Sequence, residues 1–384
     1  MSKIRVAIVF GGKSAEHEIS IVSAMSVYEA LDKAKYDVEL IGIDKNGRWT
    51  LPDLQWLLAQ RARPREIMLD QVPYTIALHP GQSSGSLQVE EGIHGRTLRL
   101  QNTGVDGLLA PVDIVIPILH GANGEDGTIQ GMLELAGLPY VGCGVLGSAL
   151  CMDKDMAKRV LRDAGLPIVP FITVRKASWA KEPDQIISEA ERSFGYPYFV
   201  KPANAGSSVG VNKIKSIDHA QEKINDSFNY DSKVLIEKAI DARELEVAIL
   251  GNDDPSASIV GEVIPRKEFY SYEAKYLDNQ GARLEIPAKR LSKSQTNEIR
   301  EIAINAFIAL ECSGMARVDF FIDRKSGELF INELNTIPGF TPTSMYPKLW
   351  GASGVSYTQL LDRLVELSFE IGNGKSKIKT HFAC

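Results

Sequence analysis

Cysteine is scarce in this chain. The four at Cys143, Cys151, Cys312 and Cys384, spread over 384 residues, show no paired metal-ligand spacing. That excludes a disulfide framework and reads as buried, reduced thiols. Long apolar runs are missing too. No stretch approaches the roughly 20 apolar residues that a bilayer-spanning helix requires. The run Val6 to Phe10, behind Lys3-Ile4-Arg5, is too short for a signal-peptide core and meets Gly11-Gly12 at once. The expectation is a cytoplasmic chain without a membrane partner. Strong charge is also lacking: a net charge of -6 argues against nucleic-acid or anionic-membrane partners and leaves room for a local basic pocket. No repeat of fixed period is present.

What is present is ordinary globular composition, 44% apolar and 24% charged, in a chain of 384 residues. Single cores stop growing at about 250–300 residues, so two or three domains are expected. Val6 to Phe10, closed by two glycines, predicts a buried parallel strand feeding a helix over Ile19 to Leu31. Strands at Val38–Ile43 and Ile114–Leu119 complete an α/β pattern, which places ligands at the carboxyl ends of strands. Residues 61–105 read as an irregular excursion with short antiparallel strands. A helix over Asp153–Ala164, capped by Asp153 and stopped by Gly165 and Pro167, opens a new domain. The α+β pattern that follows has strands at Val169–Val174, Tyr198–Lys201, Gly210–Ile214 and Val234–Glu237, and a helix at Pro183–Phe194. A third part carries strands at Leu245–Leu250, Ser258–Ile264, Arg317–Ile322 and Leu329–Glu333 around a helix at Ser294–Leu310. A last helix at Tyr357–Ile371 packs back on the body, and a loose basic tail starts at Gly372.

Chemistry concentrates in a few runs. In Arg317-Val-Asp319 and Glu333-Leu-Asn335, joined through a turn at Lys325-Ser-Gly327, strand alternation puts each pair on one face. Two carboxylates and an amide oxygen converging there suit magnesium; a salt-bridged hairpin face is the alternative. His120-Gly-Ala-Asn-Gly-Glu125 follows the third strand, where glycines allow close backbone approach to a ligand and where a lone histidine is otherwise structural. Gly11-Gly-Lys-Ser14-Ala-Glu16 matches neither a Walker loop nor the dinucleotide fingerprint, and Ser14 and Glu16 are also suited to capping a helix. Lys201-Pro-Ala-Asn-Ala-Gly-Ser207-Ser208 is a small-residue loop able to fold over phosphates, or a hairpin turn.

Taken together, Gly314 to Asp319, Glu333 to Gly339, His120 to Gly131 and Gly11 to Ser20 resemble the D-alanine–D-alanine ligases, a branch of the ATP-grasp superfamily, and the likeness covers nearly the whole chain. The resemblance implies an ATP-grasp fold, α/β and α+β. A Rossmann-like domain at 1–142 is followed by a central ATP-grasp subdomain at 143–236, a C-terminal subdomain with metal site and lid at 237–375, and a tail at 376–384. It implies two Mg2+ or Mn2+ ions on Asp319, Glu333 and Asn335, and catalytic roles for Glu16, Ser207, Tyr276, Arg317, Gly339 and Ser344. Glu16 and His120 would attend the first D-alanine, with Glu125 orienting, and Ser344 and Met345 the second. ATP would be held by Lys154, Lys201, Ser208, Glu237, Lys238, Ile240, Glu244 and Lys275, the last from a lid beginning near Glu268. Lys154 also reads as a surface lysine at a helix start, and the lid aromatics as core.

The implied reaction is phosphorylation of one D-alanine carboxylate by ATP, followed by attack of a second D-alanine amine. A homodimer through the first domain is the family's expected assembly. Two rivals stand beside this reading: a ligase taking D-lactate or D-serine as acceptor, which Tyr276 disfavours, and an ATP-binding regulatory module that has lost catalysis.

Overall fold

The computed structural model describes residues 2–60, 63, 66–72, 74–78, 87–91, 112–265 and 282–377. Three sheets organise them. The first has at its centre the continuous apolar runs: β1 (Ile4–Gly11) lies parallel to β2 (Tyr36–Ile43) on one side and to β6 (Ile114–Ile118) on the other. Helix α1 (His17–Ala30) packs on it. Beyond β2 the sheet turns antiparallel through β3 (Trp49–Thr50), β4 (Tyr74–Leu78) and β5 (Leu87–Glu91). These include the short antiparallel strands expected in the irregular stretch; the rest of 92–111 falls outside the described residues. At the β1–α1 corner Gly11 has φ +92°, and a Cβ there would stand 2.2 Å from the Ile43 carbonyl oxygen, so only glycine fits.

The second sheet has the order β7 (Phe171–Arg175), β10 (Lys233–Lys238), β8 (Tyr198–Pro202), β9 (Asn212–Ile214). Pro183–Phe194 is helical as expected, with Pro183 in the first turn where its missing N–H costs nothing. With Ala220–Ser227 it covers this sheet and closes a core of Ile187, Val200, Ile224 and Ile236 separate from the others.

The third sheet is antiparallel, in the order β14 (Ala282–Glu285), β13 (Gly261–Pro265), β11 (Ala242–Gly251), β15 (Gly314–Asp323), β16 (Leu329–Asn335), with β12 (Ser256–Ala257) hydrogen-bonded to β11. Of the strand expected at Ser258–Ile264 only the part from Gly261 forms, and β12 ends just before that range. One face buries Val318 and Phe320 against Ile299, Ala303 and Phe307 of the helix Lys293–Ala309, which starts with a capping box of Ser292 and Gln295. The other face buries Ala248, Leu250 and Met315 against Met345 and Leu349 at one end and carries polar side chains over the rest.

Two helices lead from the first sheet to the second: Val145–Met152, which the sequence did not announce, and Lys154–Asp163, where the Asp153 carboxylate accepts from the N–H groups of Asp155 and Met156. At the far end, Met345–Ala352 is followed by a long terminal helix, Tyr357–Ser376. That helix corrects the tail expected from Gly372. In its last turn Lys375 pairs with Glu134 at 2.5 Å, a cation placed where the helix dipole favours one. Its apolar side, Leu360, Leu361 and Leu364, enters the core that holds Val6, Ile8 and Phe10 of the first sheet. Tyr36 and Lys35 both bond Asp362, and Thr358 donates to the Ala30 carbonyl.

Candidate active site

The three sheets face a common cleft. From the third sheet come Arg317, Asp319, Glu333 and Asn335. Cross-strand register sets Arg317 opposite Asn335 and Asp319 opposite Glu333, with a bulge just beyond Asp319. On the other side of β15, Glu246 stands opposite Asp319. One row across three strands therefore carries three carboxylates. The Arg317 guanidinium forks onto both Asp319 oxygens at 2.7 Å, and Asn335 Nδ2 donates to Asp319 at 3.0 Å. Burial opposes the charge of Arg317, but Asp319 and Glu246 overcome it and hold its pKa well above the ordinary value.

Among the described residues, no three or more His, Cys, Asp or Glu side chains stand at metal-ligating spacing. The donors that do converge, Asp319, Glu333 and the Asn335 amide, are hard oxygens and fit magnesium, which usually takes one or two carboxylates and completes its shell with water and phosphate.

From the first sheet comes a loop-borne cluster. Glu16 precedes the first residue of α1, yet its side chain does not cap the helix. It is buried and accepts a hydrogen bond from Ser207 Oγ of the loop after β8. That contact disposes of the capping alternative for Glu16, whereas Ser14 Oγ accepts from Glu16 N at 3.2 Å just before the helix. Gly121, at φ +72°, lies so close that a Cβ would meet Glu16 Oε2 at 2.9 Å. His120 is buried: its Nδ1 lies 3.1 Å from the Ile337 carbonyl and its Nε2 3.4 Å from Ser23 Oγ. A carbonyl only accepts, so Nδ1 carries the proton. Burial lowers the pKa of the ring, which favours neutral imidazole.

Glu125 clamps the same junction, accepting from Gly121 N at 2.8 Å and Ile337 N at 3.2 Å. Burial, reinforced by the Glu16 carboxylate, pushes its pKa up to about 8. The His120 loop and the segment after β16 are thus tied through Ile337 on both its N–H and its carbonyl.

The second sheet contributes cations. Lys201 Nζ is 2.7 Å from Glu237, 3.3 Å from the Asn332 amide oxygen and 5.9 Å from the Phe321 ring centroid. Lys158, almost wholly buried, meets the other Glu237 oxygen at 3.2 Å. Burial alone would raise the pKa of Glu237, but the two lysines reverse that and hold it below the usual carboxylate range. The Glu237 side chain, expected among the ATP contacts, is therefore engaged by lysines. Lys238 is exposed, with its N–H donated to the Pro170 carbonyl, while Ile240 is half-buried on the connection into β11 and Glu244 half-buried on β11 itself.

Lys154 donates to the Ala205 carbonyl at 2.8 Å and lies 3.6 Å from Glu333, so it spans the Ser207 loop and the third sheet. Ser207 and Ser208 both have positive φ, 51° and 61°. Non-glycine residues adopt this at a cost of roughly 1–2 kcal/mol each, and such strain clusters at functional loops. A small pocket between these pieces is lined by Glu125, Lys154, Gly206, Glu333, Asn335 and Thr336, among others.

Ser344 precedes the helix Met345–Ala352; its Oγ accepts from Thr341 N at 3.0 Å and stands where a Gly339 Cβ would come within 2.8 Å. The Met345 side chain is buried in the core beside Gly261, so it offers the cleft its backbone and no side-chain surface. Lys275 and Tyr276 lie outside the described residues.

Sequence reasoning missed Glu246, Lys158 and Asn332. Alternation in Glu244-Leu-Glu246-Val does put Glu246 on the face of Glu244. Nothing local marks Lys158, whose partner arrives from another strand.

Two family profiles cover most of the chain: "D-ala D-ala ligase N-terminus" matches residues 5–143 and "D-ala D-ala ligase C-terminus" residues 160–366. D-alanine–D-alanine ligase A of Chromobacterium violaceum is 48% identical over 372 residues, which cover 97% of each chain. The solved D-alanine-D-alanine ligase from Coxiella burnetii superposes with TM-score 0.80 at 37% identity, over 98% of this chain and 97% of that one. The VanG D-Ala:D-Ser ligase from Enterococcus faecalis gives TM-score 0.78 at 34% identity, over 96% of this chain and 100% of that one.

Proposed function

Because the chain belongs to the D-alanine–D-alanine ligase family, it is a ligase of the ATP-grasp fold that makes D-alanyl-D-alanine for peptidoglycan precursors, and we propose that it does so through D-alanyl phosphate. The observation that carries this reading is the meeting of the Glu16–Ser207 pair, the Lys154 and Lys201 cations and the Arg317–Asp319–Glu333–Asn335 face around one cleft.

The chemistry starts from a poor electrophile. A free carboxylate resists attack, so one D-alanine carboxylate first takes the γ-phosphoryl group of ATP and gains a good leaving group. Glu16, oriented by Ser207, receives the ammonium of that D-alanine, and neutral His120 and Glu125 hold the loop around it. Lys154, Lys201, Ser208, Glu237, Lys238, Ile240, Glu244 and Lys275 hold ATP. Glu237 acts here by fixing Lys201, and the side chain of Lys238 by reaching back from the surface. Asp319, Glu333 and Asn335 would hold two Mg2+ or Mn2+ ions, which neutralise charge on the phosphates. Arg317 stabilises developing oxyanion charge, first on the transferring phosphoryl group and then on the tetrahedral adduct.

The second D-alanine, with its carboxylate at Ser344, Gly339 and the backbone of Met345, attacks the acyl carbon through its amine. The adduct collapses with loss of phosphate, so ATP and two D-alanines become ADP, phosphate and dipeptide. Tyr276 belongs with Glu16 and Ser207 beside the reacting groups. No covalent enzyme nucleophile is needed; the work is alignment and electrostatics.

Among the described residues no helix is long and apolar enough to cross a membrane. A cytoplasmic place, where ATP is available, and a homodimer through residues 1–142 complete the proposal, with subdomains at 143–236 and 237–375.

The likeness to a D-Ala:D-Ser ligase makes the acceptor the point to test. Mass analysis of products from ATP, Mg2+ and equal D-alanine, D-serine and D-lactate should give D-alanyl-D-alanine as the main product. A dominant mixed dipeptide or ester would replace the acceptor assignment, and ATP binding without phosphate release would leave only the regulatory module.

A further inference from the structure

Arg317 stands among more carboxylate than one guanidinium needs. Its Nε and Nη2 grip both oxygens of Asp319 at 2.7 Å. Glu246, from the neighbouring strand, brings Oε2 to 3.0 Å from the same Nε. All three side chains are largely withdrawn from water, at 21% exposure for Arg317 and 14% for each acid. A guanidinium stays charged at any working pH, and a buried one without a counter-charge is strongly destabilising.

The Asp319 oxygens held by this fork are the ones a divalent ion requires. An ion at Asp319 competes with Arg317 for them and repels the guanidinium as well. Arg317 therefore needs somewhere else to put its charge without leaving the reacting end of the cleft. The register supplies it: the residue beside Arg317 on β11 is Ala248, too short to obstruct, and two positions along on the same face is Glu246.

We propose that Glu246 is the positioning residue of Arg317, keeping the guanidinium beside the reacting oxygens when Asp319 turns to metal. This rests on the assignment of Asp319 as a metal ligand made above. Glu246 touches neither substrate nor ion in this role; it acts through Arg317, and it links metal loading to the placement of the oxyanion donor.

The test uses the full chain with Mn2+ and ADP, reading free Mn2+ by electron paramagnetic resonance. Wild type, Glu246→Gln, Arg317→Gln and the double variant are compared, with folding checked by circular dichroism. Loss of the Glu246 charge should weaken Mn2+ binding about tenfold with Arg317 present, and by at least fivefold less with Arg317 replaced. Equal weakening in both backgrounds would mean that Glu246 acts on the ion directly, and no weakening would mean that it does not act at all; either overturns the proposal. In turnover, Glu246→Gln should lower kcat with KM for ATP within about twofold, and a rise in KM at constant kcat overturns it.

Should Arg317→Gln fail to fold, Glu246→Asp decides. It keeps the charge and withdraws it by one methylene, so kcat between wild type and Glu246→Gln supports positioning, and full wild-type kcat overturns it. An Asp319→Asn control separates the two levels. If it binds Mn2+ as well as wild type does, the metal assignment fails; if it binds worse while Glu246→Gln matches wild type, only the role of Glu246 fails.

Discussion

The first and third sheets serve the same cleft by opposite means. In the first, β1 is buried along almost its whole length and parallel to both neighbours, so its faces have no room for charge; its chemistry sits in the loops at the strand ends, on Glu16, His120 and Glu125. In the third, β15 alternates between buried and half-buried residues, and the reactive side chains stand on the strand itself. A parallel sheet covered on both faces can offer a ligand only its edge, whereas an antiparallel sheet left open over part of one face offers a surface there. Strand-borne groups keep fixed spacing through cross-strand register. Loop-borne groups need clamps, which is what Glu125 and Ser207 provide.

The contrast predicts that polar strand residues can be changed without harm to the fold, and apolar ones cannot. Glu333→Gln should show the largest effect, a fall in kcat of about 10²–10³-fold, typical of losing one electrostatic contributor. Its thermal midpoint should stay close to wild type, because the side chain is 27% exposed and keeps its shape. A large drop in midpoint would mean that this face is structural.

Ile8→Ala, on the fully buried strand, should do the reverse. It should cost about 2–5 kcal/mol through lost burial and the cavity left behind, lowering the thermal midpoint while the folded fraction retains its kcat. Unchanged stability would break the comparison.

The smallest effect tests the loop clamp. Since burial raises the Glu125 pKa from 4.5 to about 8, the native state holds a proton between those values that the unfolded chain has released, and this group's contribution to stability falls as pH rises through that window. Glu125→Gln, neutral throughout, should flatten the decline of thermal midpoint between pH 5 and pH 8. An undiminished slope would show that the carboxyl is already ionised in the fold.

Much of the architecture was legible because it rests on local signals. The apolar runs of β1, β2 and β6, the Asp153 cap and the helix Pro183–Phe194 each carry their own punctuation. The helices Val145–Met152, Ala220–Ser227 and Met345–Ala352 did not: each is eight residues long and begins without a side-chain cap, so packing against neighbours defines it. In the site, alternation disclosed that Arg317 and Asp319 share a face, and likewise Glu333 and Asn335. It did not disclose that Arg317 would hold Asp319, or that Lys158 and Lys201 would close on Glu237. Those are pairings between distant segments, to which spacing along the chain is blind.

The shared core of the first sheet and the terminal helix has a bearing on biosynthesis. Ile8 and Phe10 near the start of the chain bury themselves with Leu360, Leu361 and Leu364 near its end. A nascent chain leaves the ribosome from its amino terminus, so the first strands gain α1, β2 and β6 early but wait for nearly the whole polypeptide before the last part of their core emerges. The second sheet, with its own core between residues 174 and 236, has no such wait. During synthesis the middle of this molecule is free to mature before the core at its beginning is fully closed.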